Sequence, residues 1–168
     1  MIKNRTQKIV FTSLIAALTC VTTMAVKIPT PLGGYVNLGD AIVLLSAAFL
    51  SPLYAIFAAG VGSALAELCS GYVIYAPATF VIKALMALFS CTVIKAFGGK
   101  KKVLSLSLGA ALAAIWMVLG YYIFEGFLYG FGASLVNIPA NAIQGVVGAV
   151  LGVILVHLIQ KLSPQSEK

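Results

Sequence analysis

The chain is 168 residues long, 61% hydrophobic and only 9% charged, with a mean hydropathy of +1.08. A soluble domain carries about 25% charged residues, so this composition excludes a soluble globular protein and describes an all-α integral membrane protein. The net charge of +7 is carried by short loops and tails, where a cation excess records membrane orientation and not nucleic-acid binding.

Apolar runs at Ile9–Val26, Ala41–Leu50, Leu53–Ala66, Ala76–Ile94, Val103–Phe124 and Ile138–Ile159 alternate with short breaks. About 20 residues cross a bilayer as helix. The expectation is a single transmembrane domain over residues 1–168, with six helices at approximately 8–26, 38–50, 52–70, 77–95, 103–125 and 137–160. Lys3, Arg5 and Lys8 precede the first run, Lys95 and Lys100 to Lys102 follow the fourth, and Lys161 and Lys168 follow the last. The positive-inside rule makes these groups, and both termini, cytoplasmic. Parity then requires an even number of spans before the lysine loop, so Pro52 starts a new helix after a tight turn, a position that suits proline. The basic start and first apolar run also resemble a signal peptide, with a weak cleavage site at Thr23-Met24-Ala25. The run is long for that role, and the parity count retains it.

The first predicted helix carries two rows of mostly small residues. One row is Ser13, Ala17, Val21 and Ala25; its neighbour is Thr12, Ala16 and Cys20. Such rows let another helix approach closely. Lys27 reaches the outer surface, and Ile28 to Gly34 follow with prolines and glycines that cannot continue a helix. Gly34-Tyr35-Val36-Asn37-Leu38-Gly39-Asp40 is the end of that external loop and the entrance to the second helix. The second helix is short, which leaves room for a loop dipping inward, and irregular backbone at that depth is tolerated only against protein or a watery cavity.

The third helix ends with Glu67 and gives way to an external loop, Gly71 to Tyr75. In the fourth, Thr79 and Lys83 follow Pro77 on nearby faces, and Lys83 lies deep enough to need an anionic neighbour or ligand. Trp116, Tyr121, Tyr122 and Glu125 occupy the outer third of the fifth. The segment Gly126 to Leu135 is expected to be a loop able to fold over the site. Asn137, Asn141 and Gln144 recur at helical spacing and share one face of the sixth helix. The three cysteines, Cys20, Cys69 and Cys91, have no metal-type spacing and are expected to be small buried helix residues.

Asp40, Glu67, Lys83, Glu125, Asn137, Asn141 and Gln144 therefore all fall at the outer ends of helices. A proton or ion pathway needs polar groups through the whole depth, so a one-sided cluster describes a pocket. With Tyr35, Asn37 and Tyr75, these residues suit a small polar ring compound. Alternatively, Lys83 pairs with Glu67 or Asp40 to hold helices together. No metal cluster, cofactor motif, phosphate-cradling loop or catalytic constellation is visible, so an enzyme is not expected. A self-sufficient secondary transporter or small channel for a polar organic solute is the competing function.

Taken in order, Gly34 to Asp40, Leu50-Ser51-Pro52-Leu53-Tyr54, Gly62 to Leu68, Gly71-Tyr72 and Tyr75-Ala76-Pro77-Ala78-Thr79 to Lys83 resemble the substrate-binding S components of energy-coupling factor (ECF) transporters. The likeness is to the branch that includes riboflavin, pyridoxine and hydroxymethylpyrimidine carriers. The resemblance implies a six-helix subunit in a bacterial plasma membrane that captures a vitamin from outside. Its partners are a transmembrane coupling subunit and two ATPase subunits, which hydrolyse the ATP. Within that branch a pyridine- or pyrimidine-sized substrate, of the vitamin B6 or hydroxymethylpyrimidine type, is expected on size, ahead of riboflavin. By the same resemblance the coupling subunit meets the first helix at Ser13, Ala17, Val21 and Ala25 or at Ala16 and Cys20. The pocket lies between the first external loop and the outer ends of the later helices.

Overall fold

The computed structural model describes residues 4–97 and 102–162; Lys3, Lys100, Lys101 and Lys168 lie outside them. Helix α1 spans Arg5–Ala25, where Asn4 and Gln7 form a capping box at its start. Strands β1 (Lys27–Pro29) and β2 (Tyr35–Asn37) follow, then α2 (Gly39–Phe49), α3 (Pro52–Cys69), α4 (Ala76–Ala96) and α5 (Lys102–Tyr129). Next come a single turn α6 (Phe131–Ser134), a 3₁₀ turn at Leu135–Asn137 and the long α7 (Ile138–Leu162), the last of the described elements. Helices α1, α3, α4, α5 and the α6–α7 segment are each long and apolar enough to cross a membrane. This is an all-α membrane fold.

The helices form a ring, α1 on α3, α3 on α4, α4 on α5 and α5 on α7, and α2 closes it by touching α1, α3, α4 and α7. Every residue of α2 from Gly39 to Ala47 is buried, as expected of a helix apolar all round. At 11 residues it is about 16 Å long, too short for a hydrocarbon layer of about 30 Å. Of the two strands that precede it, β2 packs against α1 and α7.

The expected external loop is thus a β-hairpin, with Lys27 opposite Asn37, Ile28 opposite Val36 and Pro29 opposite Tyr35. Pro31 fits the turn because its ring fixes φ, and Gly33 supplies a φ of 79°. Thr30 N–H donates to the Gly34 carbonyl at 2.9 Å and closes the loop. One face of β2 points inward, with Tyr35 and Asn37 buried.

Two expectations are corrected. The segment 126–135 is not an open loop: α5 continues to Tyr129, and helical turns resume after one residue at Gly130, whose φ is 93°. Gly126 does not break α5 because its missing side chain makes room for the Phe131 ring. Of the cysteines only Cys91 is buried; Cys69 is exposed at the last turn of α3 and Cys20 is half-buried on α1.

Candidate functional site

The polar side chains gather at the hairpin end of the bundle in two layers. The deeper layer is closed on itself. Lys83 of α4 bonds Asp40 Oδ1 of α2, and Gln144 Nε2 of α7 donates to Asp40 Oδ2 at 2.9 Å. The Gln144 carbonyl in turn accepts the Asn37 backbone N–H at 2.8 Å, and Asn37 Oδ1 accepts the Gly39 N–H at 2.9 Å. Three helices and the hairpin are thereby tied to one carboxylate. Gly148 lets this happen, since a Cβ there would overlap the Asp40 side chain.

The layer nearer the hairpin surrounds a cavity lined by Thr30, Gly34, Tyr35, Glu67, Tyr75, Tyr121, Glu125 and Asn141. These come from all round the ring, because the hairpin, the end of α3, the start of α4, the end of α5 and the start of α7 converge there. The free space is narrow. Glu67 Oε1 accepts from Thr79 Oγ1 at 3.1 Å, and that hydroxyl also lies 3.1 Å from the Tyr121 hydroxyl. Glu125 Oε1 accepts from Asn137 Nδ2 at 2.9 Å and from Tyr75 Oη at 3.3 Å. The Tyr75 hydroxyl is 3.2 Å from the Leu32 carbonyl, which links the hairpin tip to α4 and α5. Tyr35 packs on Tyr72 with ring centroids 4.6 Å apart and planes tilted by 57°, and Tyr75 meets Phe124 edge-on at 5.3 Å.

The other carboxyl oxygens lack partners. Glu67 Oε2, Glu125 Oε2, Tyr35 Oη and Thr30 Oγ1 are buried with no hydrogen-bond partner at bonding distance among the described residues, the Glu67 carboxyl standing next to the Tyr35 phenol. Buried polar groups are satisfied in the great majority of cases, and an unmade bond costs about 1–3 kcal/mol. Four such atoms around one cavity mark it out chemically. Burial, with the Glu67 carboxyl beside it, raises the Tyr35 phenol above its ordinary value of 10.0. Burial raises the Tyr75 phenol in the same direction.

Of the residues expected to bind substrate, Tyr35, Glu67, Tyr75, Glu125 and Asn141 line the cavity. Asn37, Asp40, Lys83, Asn137 and Gln144 are buried within hydrogen-bond reach of one another or of Glu125. Thr30, Thr79 and Tyr121 were not among them. The signal for two was present: Thr79 and Lys83 are four residues apart on α4, continuing the spacing from Tyr75 at its N-cap, as are Tyr121 and Glu125 on α5. Trp116 belongs to the scaffold, donating to the Ile82 carbonyl at 3.2 Å and meeting Phe89 edge-on. On α1, Ser13, Ala17, Val21 and Ala25 are exposed, whereas Ala16 and Cys20 are half-buried. The Ala16 carbonyl packs where a Cβ on Gly62 of α3 would sit.

The fold has a solved counterpart. The S component of a bacterial ECF transporter superposes with a TM-score of 0.74 over 96% of this chain and 100% of that one, at 22% identity. An uncharacterized protein from Pyrococcus woesei, described as lying in a gap 3′ region, is 38% identical over 142 residues, 84% of this chain and 93% of that protein. The family model for the ECF-type riboflavin transporter, S component, matches residues 3–161. The chain therefore belongs to the S-component family of ECF-type transporters.

Proposed function

We propose that this S component captures a small vitamin or vitamin precursor of the vitamin B6 or hydroxymethylpyrimidine type in the cavity beneath the β-hairpin. The observation that carries the reading is the set of four buried, unpaired polar atoms, Glu67 Oε2, Glu125 Oε2, Tyr35 Oη and Thr30 Oγ1, around one space walled by three tyrosine rings. Apolar walls with a few convergent polar groups are the usual make-up of a small-molecule site. A single ring requires less opening of the hairpin than a three-ring flavin does, and this favours the smaller substrates. Asp40, Lys83, Gln144 and Asn37 serve the same site by holding the hairpin against α2, α4 and α7.

The hairpin end faces outward in the plasma membrane, and the opposite end, with Arg5, Lys8, Lys95 and Lys161, faces the cytoplasm. The exposed row Ser13, Ala17, Val21 and Ala25 is the face offered to a transmembrane coupling subunit, while Ala16 and Cys20 pack inward. Small residues suit close approach of a partner helix in lipid. Two ATPase subunits supply the energy. Uptake of a labelled vitamin by cells carrying this chain with and without the coupling subunit and ATPases tests the assignment. Uptake that depends on the partners is expected, and uptake driven by an ion gradient without them would overturn it.

A further inference from the structure

We infer that the cavity selects the amine-bearing, positively charged form of its ligand and rejects phosphorylated or carboxylated forms. This rests on the binding role proposed above and adds a charge to it. Glu67 and Glu125 are 4% and 2% exposed, each with one oxygen engaged and the other, Oε2, unpaired. The lining contains no lysine, arginine or histidine. Lys83, whose ammonium lies 5.6 Å from the centroid of the lining Tyr121 ring, is committed to Asp40, and the second oxygen of that carboxylate is taken by Gln144. Lys27 stands at the rim, bonded to the Ser70 hydroxyl at 3.0 Å and exposed; it lies 5.8 Å from the outer Tyr35 ring centroid.

The acidic pair is not the only sign of a ligand. The Tyr35 and Thr30 side chains, each from the hairpin and each 9% exposed, bring unpartnered hydroxyls to the same space. The cavity thus presents carboxyl acceptors, two hydroxyls and the rings of Tyr35, Tyr75 and Tyr121, and the two lysines behind those rings, Lys83 and Lys27, are already bonded to Asp40 and Ser70. Charge-assisted bonds from an ammonium or amino group to carboxylates are about twice as strong as neutral ones. A cation against tyrosine faces gains further from the ring quadrupoles. An anionic substituent meets two carboxyl groups and no lysine, arginine or histidine in the lining.

The test is equilibrium binding to the purified protein in detergent at neutral pH, using matched pairs: pyridoxamine against pyridoxine and aminomethylpyrimidine against hydroxymethylpyrimidine. Riboflavin and pyridoxal phosphate serve as neutral and anionic comparators. The amine of at least one pair is expected to bind tenfold or more tightly than its hydroxyl partner, with pyridoxal phosphate weakest. Glu125→Gln and Glu67→Gln, each checked for wild-type melting, should erase that preference. Equal or tighter binding of a neutral or anionic compound overturns the charge selection and leaves the binding role standing. If no compound in the panel binds folded protein, the binding role falls and the selection with it.

Discussion

Lys83 and Asp40, 43 positions apart in the chain, form a buried ion pair between α4 and α2, with side chains only 2% and 3% exposed. A charge inside a membrane protein is costly unless paired. The Asp40 carboxylate here also accepts from Gln144, so the pair joins three helices. Removing one partner strands the other, which costs about 3–5 kcal/mol, whereas removing both charges together is often close to neutral.

Lys83→Met is accordingly expected to lower thermal stability in detergent severely, by a free energy of about 3–5 kcal/mol. The double variant Asp40→Asn with Lys83→Met should recover most of it, since the amide that replaces the carboxylate can still meet Gln144. A double-mutant cycle read by thermal melting measures the coupling. A single variant as stable as wild type would show that the pair holds nothing together.

The hairpin docks through a close contact. A Cβ on Gly39 would overlap Thr23 Oγ1 of α1 and lie 3.0 Å from Asn37 Oδ1. Gly39→Ala should therefore loosen the hairpin and weaken ligand binding by an order of magnitude or more. Adding Thr23→Gly, which clears the space, should restore part of the affinity. Hydrogen exchange of the Thr30 and Gly39 amides provides a direct readout of the loosening.

The six apolar segments were legible in the sequence because hydropathy averages over about 20 residues, and Pro52 marked the break that parity required. The hairpin was not legible. Its strands are three residues long, one ends in Pro29, and their pairing is stabilised by docking of Asn37 on Gln144. The segment Gly126 to Leu135 read as a loop because the sequence alone does not reveal that Phe131 packs against Gly126. The acidic and amide residues were found by their positions at helix ends. Which carboxylate takes Lys83 was open between Asp40 and Glu67. In the structure Lys83 takes Asp40, leaving Glu67 to Thr79 and the cavity.

The two faces of α1 should separate transport from binding. Ala17→Leu and Ala25→Leu alter an exposed row and are expected to leave melting and ligand affinity within experimental scatter while reducing partner-dependent uptake tenfold or more. Gly62→Ala, which would force α3 off the Ala16 carbonyl, should instead lower stability. Uptake and binding measured on the same preparations distinguish the two outcomes.

Both Tyr35 and Tyr75 have phenols raised above the ordinary value of 10.0, chiefly by burial. In the unfolded chain they ionise near that value; in the folded protein they keep their protons. Their contribution to stability is present below about pH 10 and is lost as pH rises above it, because the unfolded state then binds fewer protons. Tyr35→Phe should make the alkaline loss of stability shallower. It should also weaken binding by about five- to tenfold, the worth of roughly one hydrogen bond of about 1–1.4 kcal/mol.

The most direct measurement is mass spectrometry of the small molecule released when protein purified from cells grown on rich medium is denatured, with Glu67→Gln/Glu125→Gln processed in parallel. The wild type should release one vitamin-class ring compound close to one per chain, and the folded double variant little or none. Equal retention by the double variant, or release of a compound outside the vitamin class, would contradict the assignment of the cavity.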